Sequence, residues 1–337
     1  MRILVIRPGA LGDALLTLPA LQALRSAVPA AEIELMGNLG VLRWLLGRSV
    51  VSAVSSFDRA ALGALFQVDS QPTDGLRGYL GEFDWIVSYA TPLEHVFAQN
   101  LLRFAPGRVV CFDARPRDSL QIHMSTHLQM PLRELGIDTC KVSPLLGRGN
   151  EPPRISLTLG DQQAAGKWWT EQELDSSWVV AVHPGSGSPA KNWPAQRFAA
   201  VAQHLQRERG ARVLLVSGPA DNRPVAEVQA AVKNGRCILL DSLPLECLAA
   251  ILARCKLYLG NDSGVSHLAA AVGTPAGVIF GPTDPAVWSP RGAEVQVLQA
   301  KVPCAPCSDA KRRQCPEQVC LQGLSVDTVL TALSAVH

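Results

Sequence analysis

The chain alternates short apolar runs with longer stretches that have helical spacing. Residues 2–7 predict a buried β-strand, and residues 13–28 have the apolar spacing of an amphipathic helix that Pro29 ends. The same strand-and-helix unit then repeats. In the first half the predicted strands are 2–7, 32–36, 51–57, 85–89 and 108–112, and the predicted helices are 13–28, 41–46, 59–66, 95–104 and 127–135. Such a series predicts parallel sheets joined by right-handed crossovers.

A stretch rich in proline and glycine, residues 143–153, interrupts the pattern and predicts a linker. A second series follows it. Its predicted strands are 178–183, 212–217, 237–240, 257–259 and 277–280, and its predicted helices are 160–174, 195–209, 223–232, 245–254, 265–272 and 325–336. The pattern therefore predicts an α/β protein of two facing Rossmann-like domains, 1–150 and 151–337. Ligands of such sheets bind at the carboxyl ends of the strands, so a cleft between the domains is the expected site.

Composition narrows the functional classes. The 337 residues favour two domains, and a formal net charge of +2 gives no electrostatic argument for nucleic-acid binding. We find no uninterrupted apolar run of about 18 residues, which a membrane-spanning helix would need. The first apolar run is broken by Arg7 and Pro8 and is too short for a signal-peptide core. Nine cysteines without an export signal indicate reduced thiols in the cytoplasm.

Two polar turns in residues 257–285 carry the clearest chemical signal. The first, Asn261-Asp262-Ser263-Gly264, opens a predicted helix whose first N–H groups attract anions. Asp262 or Ser263 could equally be an ordinary N-cap. The second turn, residues 281–285, follows the next strand, and successive strand ends of a parallel sheet share one edge. Two glycine-bearing turns at one edge indicate a phosphate-bearing ligand.

The loop after the first strand, residues 8–13, contains glycine but lacks the GxGxxG spacing of dinucleotide-binding proteins. A nicotinamide-dependent enzyme is therefore disfavoured. Asp13 lies at a predicted helix N-terminus, where two interpretations stay open. It could cap the helix, or it could act as a general base that takes the proton of a substrate hydroxyl.

A second glycine- and serine-rich loop spans residues 183–194 and carries Lys191 before a predicted helix. The GxxxxGK[ST] pattern of ATP-hydrolysing P-loops is absent, and what remains suits a diphosphate. The alternative is a solvated lysine. Ser263 and His267 are spaced i,i+4 without the nucleophile elbow of a hydrolase. His267 therefore either orients a ligand or packs beside the turn.

Four cysteines lie close together in sequence as C-x2-C-x7-C-x4-C: Cys304, Cys307, Cys315 and Cys320. Four thiolates in so short a span can form a tetrahedral structural site for zinc or iron. Four free or partly oxidised thiols are the alternative.

Three motifs together are similar to glycosyltransferase family 9, the ADP-heptose:lipopolysaccharide heptosyltransferases. They are RPGALGDALLTLPALQALR, VHPGSGSPAKNWP and GNDSGVSHLAAAVGTPAGVIFGPTDP, in this order along nearly the whole chain. The resemblance implies a GT-B fold whose C-terminal domain holds the donor and whose N-terminal domain binds the acceptor. It also implies inverting transfer of a heptose to an acceptor hydroxyl of the lipopolysaccharide inner core.

The resemblance further implies roles for individual residues. Asp13 would be the catalytic base, and Lys191 would bind the donor diphosphate with Ser186 and Ser188 nearby. The turn of Asp262, Ser263 and Gly264 would contact the pyrophosphate or heptose, supported by His267. Further donor-binding candidates are Gly12, Thr283 and Asp221, the last with Asn222 near the ribose.

No cofactor is expected to be required for catalysis, and the expected partners are an ADP-sugar and an anionic glycolipid. Arginines of the first half are candidates for binding that acceptor: Arg43, Arg48, Arg59, Arg77, Arg103, Arg115 and Arg117. Any membrane contact would be peripheral, at the inner face of the inner membrane. The alternatives are another GT-B enzyme with a different donor or epimerase activity, a heptosyltransferase acting on proteins or small molecules, and a non-catalytic binding protein.

Overall fold

The chain folds into two compact units, Met1–Ser156 and Leu157–His337. The computed structural model describes residues 1–115, 121–139, 153, 155–219, 221–232 and 237–334. All of the predicted linker at 143–153 except Pro153 lies outside these residues.

The first unit contains a five-stranded parallel sheet with the order β3-β2-β1-β4-β5. Its strands are β1 (Arg2–Ile6), β2 (Glu32–Gly37), β3 (Ala53–Ser56), β4 (Trp85–Ser88) and β5 (Arg108–Cys111). Its α-helices are Leu11–Ala27, Leu39–Leu42, Asp74–Gly81, Val96–Phe104 and Met124–His127. Short 3-10 helices occupy Arg43–Leu45, Ala60–Phe66 and Met130–Leu135. β1 lies at the centre of the sheet, so the loop that follows it emerges from the middle of the sheet edge.

The second unit contains a six-stranded parallel sheet with the order β11-β10-β9-β6-β7-β8. Its strands are β6 (Val179–His183), β7 (Arg212–Ser217), β8 (Cys237–Asp241), β9 (Leu257–Asn261), β10 (Ala276–Phe280) and β11 (Val295–Gln299). Its α-helices are Leu159–Glu171, Ala195–Arg209, Asn222–Ala231, Leu245–Leu252, Gly264–Ala271, Pro285–Trp288, Asp309–Gln314, Val319–Gln322 and Val326–Leu333. A 3-10 helix spans Pro189–Lys191.

The central strands of the second sheet form its buried core. Every residue of β6, β9 and β10 is buried, as expected for parallel strands with both faces covered. Trp193 fixes the loop after β6 to this core: its backbone N–H donates to Asn261 Oδ1 at 2.9 Å, and its indole Nε1 donates to the Leu324 carbonyl at 3.0 Å. The loop between β6 and the helix Ala195–Arg209 is therefore anchored to the core at its C-terminal end.

Several predicted elements differ from the structure. The helix predicted at 59–66 is a 3-10 helix, Ala60–Phe66, and the helix predicted at 127–135 is a short α-helix, Met124–His127, followed by the 3-10 helix Met130–Leu135. Pro131 at the start of the latter lacks the N–H that a continuous α-helix would use. The pattern also missed β11 and the helix Asp74–Gly81, in which three glycines weaken the helical signal. Among the described residues, no helix is long and apolar enough to cross a membrane.

Candidate active site

Three side chains from three loops of the second unit meet at the carboxyl edge of its sheet. Lys191 Nζ lies 3.1 Å from Asp262 Oδ2, and Thr283 Oγ1 donates to the same oxygen at 2.8 Å. These loops follow β6, β9 and β10, which are adjacent in the sheet. The two polar turns thus lie together at one edge, as their positions after successive strands predicted. Lys191 and Asp262 are largely buried, with side chains 19% and 9% exposed, so their ion pair is little screened by solvent.

The turn after β9 leaves a helix N-terminus with unused donors. Ser263 is the N-cap of the helix Gly264–Ala271, and its Oγ accepts a hydrogen bond from Ser266 N at 3.4 Å. His267 N makes the first backbone bond of this helix, to the Ser263 carbonyl at 3.4 Å. Within the described part of the chain, the N–H groups of Gly264 and Val265 have no acceptor. Ser263 therefore caps the helix, while the open amides and the helix dipole favour an anion.

The Lys191 loop is fixed by hydrogen bonds within itself and to β9. Ser186 Oγ lies 2.7 Å from the Ser188 carbonyl and 2.6 Å from Asn192 Oδ1. The Asn261 side-chain amide donates to the Pro184 carbonyl at 2.8 Å. Ser186 is consequently used inside the loop, where it holds the turn that presents Lys191.

Asp221, a predicted candidate for the donor ribose, is buried and hydrogen-bonded within the second unit. It is 5% exposed, and its Oδ2 accepts hydrogen bonds from His183 Nε2 and from Gly218 N, each at 2.9 Å. Oδ1 is buried and has no hydrogen-bond partner in the described chain. Asn222, the other ribose candidate, is exposed at the start of the helix Asn222–Ala231.

In the first unit, Asp13 lies in the first turn of the helix Leu11–Ala27 and is not its N-cap. Its Oδ1 accepts from Arg7 Nη2 at 2.7 Å, and its Oδ2 accepts from Ala10 N at 2.9 Å. Asp13 thus satisfies one open amide of the helix start and forms an ion pair. The side chain of Asp13 is 33% exposed, against 8% for Arg7, so the carboxylate is accessible to a substrate. Burial lowers the pKa of Arg7 below its ordinary value, and the adjacent Asp13 carboxylate offsets only part of this shift.

The geometry of this loop requires glycine at one position. Gly9 has a φ of +146°, and a Cβ built there would lie 2.5 Å from Asp13 Oδ2. Any larger residue would therefore displace the carboxylate. Gly12, predicted as a donor contact, is a half-buried residue of the same first helical turn.

Arg7 and His183 are candidate functional residues that sequence reasoning missed. Arg7 directly follows β1 and His183 is the last residue of β6, so each lies at the carboxyl end of a central strand. A titratable residue that ends a buried apolar strand is the signal that could have identified both.

The four clustered cysteines are near one another, but their side chains are not arranged as a set of metal ligands in the described structure. Cys307 Sγ is 3.1 Å from the Cys304 carbonyl, and Cys320 is buried in the hydrophobic core. Burial raises the pKa of Cys307, and the neighbouring Cys304 and Cys315 raise it further. In the part of the chain that the structure describes, no group of three or more His, Cys, Asp or Glu side chains could hold a metal ion. The donor chemistry therefore fits zinc or iron, whereas the arrangement of the thiols does not.

Several arginines proposed for acceptor binding have partners within the protein. Arg59 stacks over the ring of Tyr79, with its Cζ 4.5 Å from the centroid, and Arg103 stacks over Phe104. Arg48 donates to the Trp44 carbonyl at 3.1 Å. Arg117 lies outside the described residues.

Comparison with known proteins identifies the family. The sequence model of glycosyltransferase family 9 (heptosyltransferase) matches residues 148–318, just over half of the chain. This chain belongs to glycosyltransferase family 9. Lipopolysaccharide heptosyltransferase 1 of Pseudomonas aeruginosa is 24% identical over 91% of this chain and 86% of its own length. Lipopolysaccharide heptosyltransferase 3 of Escherichia coli is 27% identical over 83% of both chains.

Solved structures confirm the predicted GT-B fold of this family 9 enzyme. A family 9 glycosyltransferase from Veillonella parvula superposes with a TM-score of 0.79 and 22% identity, over 99% of this chain and 96% of its own. An Escherichia coli heptosyltransferase solved with ADP superposes with a TM-score of 0.71 and 19% identity, over the whole of both chains. A dodecameric, iron-containing glycosyltransferase of enterotoxigenic Escherichia coli gives 0.60 and 15% identity, over this entire chain and 76% of its own. Family membership also confirms that the protein is a transferase.

Proposed function

We propose that this family 9 enzyme transfers a heptose from ADP-heptose to a hydroxyl of an anionic glycolipid, the inner core of lipopolysaccharide, with inversion at the anomeric carbon. The observation that carries the proposal is the arrangement of a lysine and a helix N-terminus at the carboxyl edge of the second sheet. There Lys191, held by Asp262, lies in the loop neighbouring a helix start with two open amides. A cation and backbone donors at adjacent strand ends suit the diphosphate of a nucleotide sugar.

The donor would be held by complementary charges. Lys191 Nζ has three hydrogens, and the bond to Asp262 uses one, so the others can reach phosphate oxygens. Asp262 itself would repel a diphosphate at close range. We therefore assign Asp262 to orienting Lys191 and to accepting from a sugar hydroxyl, and Thr283 to holding Asp262. Gly264 would contribute its backbone N–H, with Ser263 as the cap and His267 behind the turn.

In the transfer step, the acceptor oxygen attacks the anomeric carbon of the heptose as the bond from that carbon to the β-phosphate oxygen breaks. Asp13 takes the proton of the attacking hydroxyl, and ADP leaves with the electron pair of the broken bond. Lys191 and the amides at the start of Gly264–Ala271 offset the charge that develops on ADP. Asp13 suits the role of base because it is partly exposed and because the donors on its two oxygens fix its orientation.

The acceptor assignment comes from the relatives, whose names specify lipopolysaccharide. Such an acceptor carries carboxylates and phosphates, which guanidinium groups bind well. Exposed arginines of the first unit are the groups available for this, and a lipid acceptor would be met at the cytoplasmic face of the inner membrane. The contact with the membrane would be peripheral.

The proposed function can be tested with purified protein. The melting temperature should rise with ADP and ADP-heptose, and not with GDP- or UDP-sugars. ADP should be released from ADP-heptose only when heptose-deficient lipopolysaccharide is added. Stabilisation by another nucleotide sugar would replace the donor assignment. Release of ADP with a protein or small-molecule acceptor alone would replace the acceptor assignment.

We propose separately that the segment of Cys304, Cys307, Cys315 and Cys320 is a structural metal site that has no part in transfer. Four thiols within 17 residues and the iron-containing structural neighbour support this. In the described structure these side chains are not grouped as metal ligands, so the metal content of the purified protein is the deciding measurement.

A further inference from the structure

A row of hydrogen bonds crosses the carboxyl edge of three adjacent strands in the second unit. His183 ends β6, Asp221 follows β7 and Ser263 follows β9, and the sheet order places β6 between the other two. His183 Nε2 lies 2.9 Å from Asp221 Oδ2, and His183 Nδ1 lies 3.3 Å from Ser263 Oγ. His183 is 2% exposed, Asp221 5% and Ser263 7%. The middle residue thus joins the other two across the strand ends.

The direction of each bond follows from the chemistry of the partners. Asp221 Oδ2 already accepts from Gly218 N, and an ionised carboxylate has no hydrogen to donate. The shared hydrogen therefore belongs to His183 Nε2. In the neutral imidazole Nδ1 is then an acceptor, so the hydroxyl of Ser263 donates to it. The same hydroxyl oxygen accepts from Ser266 N at the start of the helix.

Asp221 is costly to keep buried. One of its oxygens has no hydrogen-bond partner in the described chain, and a buried carboxylate with an unsatisfied oxygen is unfavourable. Packing alone does not explain such a residue. Its side-chain partners are Gly218 N, in the loop after β7, and His183, and the second bond fixes the tautomer and the plane of the imidazole.

We propose that His183, oriented by Asp221, is a positioning residue of the donor site: it holds Ser263, and thereby aims the amides of Gly264 and Val265 at the donor diphosphate. The inference rests on the proposed function, since it needs a diphosphate at this turn. Acid, imidazole and hydroxyl occur in the order of a hydrolytic triad. Ser263, however, is buried and used as a helix cap, so it is not a nucleophile here.

Two substitutions of His183 separate its two hydrogen bonds. In His183→Asn the side-chain amide lies near the position of Nδ1, so it can still hydrogen-bond to Ser263 but not to Asp221. In His183→Gln the amide lies near the position of Nε2, so it can still hydrogen-bond to Asp221 but not to Ser263. Binding of ADP, the proposed product, is measured by titration calorimetry. His183→Gln should weaken it about tenfold, because a misdirected amide loses about one hydrogen bond. His183→Asn should weaken it about threefold at most. His204→Gln, a histidine paired with Arg207 on an outer helix, is the control and should leave binding unchanged.

A double-mutant cycle distinguishes positioning from general damage. In a Ser263→Ala background, His183→Gln should have no further effect on the dissociation constant of ADP. Equal losses for both His183 variants, no loss for either, or additive effects in the cycle would each overturn the inference. Should a His183 variant fail to fold, Ser263→Thr against Ser263→Ala tests the same hydroxyl, and equal ADP affinity of these two would overturn it. Wild-type protein that binds no ADP would overturn the proposed function together with the inference.

Discussion

The guanidinium of Arg7 lies 2.7 Å from Asp13 Oδ1, across the loop that follows the central strand of the first sheet. With Ala10 N on the other oxygen, the carboxylate is fixed in orientation from both sides. A base held in this way needs little reorganisation before it accepts a proton. The pair therefore links the local structure of the loop to the proposed chemistry.

Asp13→Asn should abolish transfer while ADP still binds. The amide keeps the size of the carboxylate but cannot accept the proton of the acceptor hydroxyl, so kcat should fall about 100-fold or more. Steady-state turnover and ADP titration are the measurements. Asp74→Asn, at an exposed helix start in the same unit, is the control and should retain activity. Loss of ADP binding, or turnover close to wild type, would contradict the assigned role.

Arg7→Gln should reduce kcat more than Arg7→Lys does. Lysine keeps a charge that can pair with Asp13, whereas glutamine leaves the carboxylate without its cation. We expect a fall of about tenfold or more for glutamine, since a charge-assisted hydrogen bond is lost. ADP affinity should be unchanged in both. Asp74→Asn again serves as the control, and equal kcat in the wild type and both Arg7 variants would show that Arg7 has only a structural role.

Lys191→Gln should weaken ADP binding about 10- to 100-fold, because a cation on the diphosphate is replaced by a neutral amide. Lys191→Arg should lose less ADP affinity, because arginine keeps the positive charge. Asp262→Asn should also weaken binding, although it removes a negative charge, since the carboxylate orients Lys191 at 3.1 Å. Lys167→Gln, an exposed lysine of the helix Leu159–Glu171, is the matched control. Tighter ADP binding by Asp262→Asn would show that Asp262 acts only by repulsion.

Comparison of these residues shows what sequence patterns can predict. The strands β1 to β10 were predicted from apolar runs, and the edge shared by Asp262 and Thr283 from polar turns after successive strands. The helix Ala195–Arg209 was predicted with its observed bounds. Side-chain pairing was not predictable. Asp221 and His183 are 38 positions apart, and only the folded sheet brings β6 and β7 side by side. Whether residues 60–66 form an α- or a 3-10 helix depends on packing that periodicity does not encode.

Purified protein should contain about one zinc or iron per chain if the cysteine segment is a metal site. Elemental analysis measures this directly, and Cys304→Ser together with Cys307→Ser should then remove the metal and lower the melting temperature. Cys247→Ser, an exposed cysteine outside the segment, is the control. Protein without metal, in which Cys304, Cys307 and Cys315 react freely with a thiol reagent while the buried Cys320 does not, would refute the site and agree with the described side-chain positions.

Gly185→Ala should destabilise the second unit and weaken ADP binding, whereas Gly187→Ala in the same loop should do neither. A Cβ on Gly185 would lie 1.8 Å from Asp221 Oδ1, while one on Gly187 meets no atom within 4 Å. Because Asp221 is buried and bound to His183, the clash must displace the carboxylate or the loop, at a cost of about 1–3 kcal/mol. Thermal unfolding and ADP titration of both variants test this. Equal melting temperatures would show that the loop yields without disturbing Asp221.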